Sequence, residues 1–132
     1  MFVRAEVSEK GMPRQSRVGD GFIANPLITT VATDAAVTVA VAAVLGGVLQ
    51  YTGFSAGRVI TTPTAADLIA AMPDMDIGDT YYFVTSITTA FAGTWAAGAD
   101  VTLAGRATTP ASSSTGVVIE KLSATTVKWT VL

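Results

Sequence analysis

The residues best equipped for chemistry are three aspartates, Asp74, Asp76 and Asp79, in the run PDMDIGD. Carboxylates at this spacing offer oxygen ligands to a hard cation such as Ca²⁺. The run is too short for an EF-hand loop and lacks its closing glutamate. Asp and Gly also favour turns, because the carboxylates accept hydrogen bonds from nearby backbone. The turn is the stronger expectation, and no metal site is assigned. Glu6, Glu9, Asp100 and Glu120 show no pattern of the paired-carboxylate kind that hydrolyses glycosides. There is no His and no Cys. That excludes Ser-His-Asp and Cys-His catalysis, zinc–sulfur sites and disulfides. No Gly-rich loop ends in Lys-Ser/Thr, and Gly19-Asp20-Gly21 lacks the third glycine of a dinucleotide site. The chain reads as a non-enzyme without a cofactor.

A second group of residues could bind without catalysing. Tyr51, Phe54, Tyr81, Tyr82, Trp95 and Trp129 could form a shelf for a sugar. Aromatics on strands more often fill a core. Trp95 is the exception, since it stands among small residues and glycines in AGTWAAG, where exposure or a contact between subunits is expected.

Strands must position most of these residues. Thr80–Ile87 (TYYFVTSI) is aromatic and β-branched. Tyr81, Phe83 and Ile87 share one face, Tyr82 and Val84 the other. With both faces apolar, the strand is either central or meets a neighbouring subunit. Tyr81, Tyr82, Phe83, Val84 and Trp95 are therefore the candidate subunit-interface residues. In the last strand Val127, Trp129 and Val131 alternate with Thr126, Lys128 and Thr130, so one face is buried. Further strands are expected at Val48–Thr52, Ala99–Ala104 and Gly116–Leu122. Asp34–Leu49 is read as buried strand over Val37, Val39 and Val41, with one helical turn at Ala42–Leu45 ended by Gly46. Thr64-Ala65-Ala66-Asp67 has capping-box spacing and predicts a short helix over Ala65–Met72. Short strands with turn signals every 8–12 residues indicate a β-sandwich or barrel, jelly-roll-like, with one short helix.

Residues 1–33 are read as an extended N-terminal arm and 34–132 as a β-rich oligomerising module. Four of the eight basic residues, Arg4, Lys10, Arg14 and Arg17, lie in the arm. Phe2, Phe22 and Ile23 are isolated apolar residues suited to plugging pockets on a partner. Phe2, Arg4, Arg14, Arg17, Phe22 and Ile23 are the candidate docking residues; the rival reading is a disordered leader. Only 14% of residues are charged, too few to coat a solvated monomer unless the 20 threonines supply the polar surface. Copies of the chain or a partner are expected to cover some of it. The net charge is −2, with no basic stripe, so direct binding to nucleic acid is not expected. The longest apolar stretch, Ala35–Leu49, falls short of the roughly 20 residues of a membrane helix, so no membrane contact is expected.

Three segments carry a likeness. LGGVLQYTG at Leu45–Gly53 is followed by TTPTAADLIAAMP at Thr61–Pro73, then IGDTYYFVTSITTAFAGTWAAGADVTLAG at Ile77–Gly105 and a Ser-rich turn before two strands. This order resembles the capsid decoration, cement and head-fibre-like proteins of tailed bacteriophages. The resemblance covers roughly residues 40–132 and brings no catalytic residue. It implies a β module that assembles as a homotrimer on the outer surface of the phage head. It also implies binding to the major capsid protein lattice and stabilisation of the head. The alternative is a host-recognition or carbohydrate-binding module on a head or tail fibre.

Overall fold

From Leu27 the backbone passes back and forth between two β layers. The computed structural model describes residues 26–132. Strand β1 (Leu27–Val31) lies in the first layer and β2 (Val37–Thr38) in the second. After helix α1 (Val41–Gly46), β3 (Gly47–Tyr51) returns to the first layer and β4 (Arg58–Thr61) to the second. Helix α2 (Ala65–Ala71) precedes β5 (Thr80–Ile87) in the first layer and β6 (Gly93–Ala96) in the second. Because each return runs in the same direction, β1, β3 and β5 pair in parallel, and so do β2, β4 and β6.

The remaining strands close this coil differently. β7 (Val101–Gly105) moves to the far edge of the first layer, parallel to β10 (Val127–Val131). β8 (Thr108–Thr109) runs antiparallel to β6, and β9 (Ser113–Lys121) antiparallel to both β5 and β10. Among the described residues the first sheet has the order β1-β3-β5-β9-β10-β7 and the second β2-β4-β6-β8. The expected two-layer, mainly β architecture is therefore present. Its pairing is more parallel than turn spacing suggests, because a period of two reports faces and not strand direction.

The helix at Ala65 forms as its capping signal predicts: the Thr64 hydroxyl accepts the Asp67 N–H at 3.1 Å. Leu68 is fully buried on its inner face. A second helix was only half legible. Val41, expected in a strand, opens α1, whose Ala43 and Val44 are buried. Gly47 ends it with φ 97°, a conformation costly for any residue with a Cβ, and returns its N–H to the Val44 carbonyl. No helix among the described residues is long and apolar enough to cross a membrane.

The core lies between the layers. Leu49, Tyr51, Phe83, Ile87, Val117, Ile119, Val127, Trp129 and Val131 point inward from the first sheet, meeting Ile60 and Trp95 from the second. Trp129 packs edge-on to Phe83, with ring centroids 5.3 Å apart, and tilted against Trp95 at 5.5 Å. Two expectations are corrected here. Phe83 is fully buried and Trp95 only 5% exposed, so both serve the chain's own core and neither is open to a neighbouring subunit. Small neighbours around Trp95 make room for packing: its indole N–H donates to the Thr109 hydroxyl at 3.1 Å, which bonds the Thr115 hydroxyl at 2.8 Å. A third correction concerns the arm. Residues 27–31, expected within it, form a strand of the first sheet, since β3 supplies a ladder partner at every position.

Candidate functional site

The outer face of the six-stranded sheet gathers what the sequence left scattered. Inward residues of β5 alternate with Tyr82, Val84 and Ser86, which point outward. Register then extends each outward position into a row. Ile28, Val48, Val84 and Gly116 stand side by side across β1, β3, β5 and β9. Beside them lies the row Tyr82, Val118, Thr130 and Ala104. The Leu132 N–H donates to the Gly116 carbonyl at 2.9 Å, and the Leu132 side chain is 55% exposed at the end of the apolar row. A Cβ at Gly116 would sit 2.6 Å from the Tyr82 phenol oxygen and 2.7 Å from a ring carbon. The Tyr82 ring thus crosses the bare backbone at Gly116.

Among the paired, outward positions of the described strands, charge stands only at one margin. There Glu120 and Lys128 stand opposite each other and form an ion pair at 3.3 Å. The row on the other margin, Thr30, Gln50, Ser86 and Ser114, is polar and uncharged. Of the candidate interface residues, Tyr82 and Val84 belong to this face. Tyr81 points the other way, half-buried, and its hydroxyl donates to the carbonyls of Val44 (3.0 Å) and Leu45 (3.1 Å) at the end of α1. Burial raises the Tyr81 phenol pKa, so it stays a donor there. The candidate docking residues Phe2, Arg4, Arg14, Arg17, Phe22 and Ile23 lie outside the described residues.

The aspartate run forms a turn. The Asp76 N–H donates to Asp79 Oδ2 at 2.9 Å and the Asp79 N–H to the Asp76 carbonyl at 3.0 Å. The turn is tied to β9 by the Gly78 N–H to the Lys121 carbonyl and the Lys121 N–H to the Asp79 carbonyl.

A polar cluster escaped the sequence reading. Asp34, in the β1–β2 loop, accepts the Ser55 N–H at 2.9 Å and the Arg58 Nε and Nη2 at 3.0 and 2.8 Å. The Ser55 hydroxyl donates to its other oxygen. Spacings of 21 and 24 residues carry no local signal; only the coil brings successive turns together. The Ser55 and Arg58 donors hold the Asp34 carboxyl down to about 2. A folded pKa depressed below that of the unfolded chain adds stability that is full above about pH 4. It is lost as pH falls through that range towards 2. Asp34→Asn should therefore be less stable than wild type at pH 7 and converge with it near pH 2, as read by denaturant titrations across pH. Equal stabilities at pH 7 would mean the clamp is only decorative.

Compared with known protein families, curated proteins and solved structures, the chain matches none of them.

Proposed function

We propose that the chain is a virion structural protein of a tailed phage, a decoration or cement protein bound to the major capsid protein lattice on the outside of the head. In this reading it is a homotrimer, docked through residues 1–26, with the β module facing outward. The carrying observation is the outer face of the six-stranded sheet, apolar through its middle, with charge at only one margin among the paired positions of the described strands. Such a face suits a part of an assembly better than a solitary solvated domain. The order of motifs over residues 40–132, read above as resembling phage decoration proteins, points the same way. The mechanism is mass action: a protein that binds only the assembled shell stabilises it by its binding free energy.

The test is attachment to heads assembled from the source phage's capsid protein. Deleting residues 1–26 should leave the body folded, because among the described residues the sheets begin at Leu27. It should cut occupancy at least 10-fold. Exposed ion pairs contribute under about 1 kcal/mol each, so apolar anchors should dominate. Phe22→Ala should release more protein than Arg17→Ala, and raised salt alone should strip little. A truncated body that still decorates heads at wild-type occupancy would move docking to the β module. Full-length chain that never binds heads would end the capsid reading and favour the fibre alternative.

A further inference from the structure

We infer that copies of this chain meet through the outer face of the six-stranded sheet, on the patch made by Ile28, Val48, Val84, Tyr82, Val118 and Leu132. The inference rests on the reading above only in that the chain self-assembles, and is independent of its capsid part. A face that meets its own copy pairs two chains about a two-fold axis, so it is a contact separate from the three-fold one of the homotrimer.

The first argument is chemical. The patch runs without a break from the edge strand β1 to β9, and Ile28 and Tyr82 are 59% and 49% exposed. A sheet face left to water normally alternates polar and charged side chains outward. Here, among the paired positions of the described strands, charge appears only as the Glu120–Lys128 pair at one margin. The face is locally neutral. It therefore meets its own copy without repulsion and offers no attraction to a charged partner. An anionic membrane would call for a basic rim, and the one lysine here is already paired.

The second argument is shape and size. With Tyr82 crossing Gly116, the ring adds apolar surface close to the backbone, which suits sheet-on-sheet packing. Six strands at about 4.8 Å and four rows about 7 Å apart span roughly 500 Å². Two such faces bury about 1,000 Å², the lower limit of a specific interface. Assembly through this face alone should then be concentration-dependent, with dissociation in the micromolar range.

Sedimentation velocity of the full chain from about 1 to 100 µM tests this. Wild type should shift from monomer towards a dimer through this face. Ile28→Lys sits on an edge strand and Val84→Lys at the patch centre. Each should weaken association at least 10-fold, while circular dichroism and a cooperative melt show the body intact. Ile28→Lys guards against Val84→Lys failing to fold. A full chain monomeric throughout overturns the proposal, as does a wild-type oligomer that both variants preserve. If removing residues 1–26 turns a monomer into an oligomer, that segment is the occupant and the proposal falls. If soluble glycans bind the monomer and Tyr82→Ala abolishes this without any change in association, the face is a sugar platform instead. A wild-type chain that decorates heads but never self-associates would sink this surface and spare the virion reading; one that self-associates but never binds heads would spare the surface.

Discussion

Trp129→Ala lowers the free energy of unfolding by about 3–5 kcal/mol in denaturant titrations, as large-to-small changes in a core do. The ring is fully buried and touches both layers: Phe83 of its own sheet edge-on, and Trp95 of the opposite sheet at a tilt. Truncation leaves a cavity between sheets that cannot close without bending one of them. Its indole N–H has no acceptor among the described residues. Trp129→Phe removes that unsatisfied donor together with some ring volume, so it should cost much less than alanine. A neutral Trp129→Ala would refute the assignment of this strand's inner face.

Gly105→Ala is expected to cost about 2–4 kcal/mol, through two effects that a glycine series separates. Gly105 has φ 77°, and a Cβ there would stand 2.1 Å from the Val131 carbonyl oxygen. The left-handed conformation alone costs a residue with a Cβ about 1–2 kcal/mol. Gly78 isolates that term: φ is 95°, and nothing lies within 4 Å of its would-be Cβ. Gly57 isolates neither, with its nearest neighbour at 3.8 Å and no positive φ. The order of loss should be Gly105→Ala, then Gly78→Ala, with Gly57→Ala close to neutral. The Gly105 excess reports β7 being pushed from β10. If Gly78→Ala and Gly105→Ala cost the same, the carbonyl contact is relieved at no cost and the β7–β10 edge is soft.

How much of this was legible in the sequence depended on whether a signal was local. The Thr64 cap, the span Thr80–Ile87 and the alternation around Trp129 are contained within a few residues, and each is found as expected. Val41 misled because β-branched residues favour strands, yet packing of Ala43 and Val44 into the core overrides that preference. Trp95 misled because its small neighbours suggested exposure, while the residues that bury it, Thr109 and Trp129, come later in the chain. The strand Arg58–Thr61 gave no period long enough to read. Of the candidate site, the outward pair Tyr82 and Val84 followed from alternation. Ile28, Val48 and Val118 joined them only through the register of four strands, which no single segment encodes.

The parallel coil sets the pace at which this protein acquires its shape. A hairpin closes between neighbours in the chain, but β1 cannot find β3, nor β3 find β5, until a strand of the other layer has been laid between them. Each such closure is non-local and loses loop entropy before any ladder is gained. Folding should then run on the millisecond-to-second scale of non-local β topologies, slower than a helical chain of equal length. Throughout that delay the edge of β1, with Leu27 and Ile28 uncovered, competes for any other strand in reach. The nascent chain is thus most prone to aggregation before its first coil is complete.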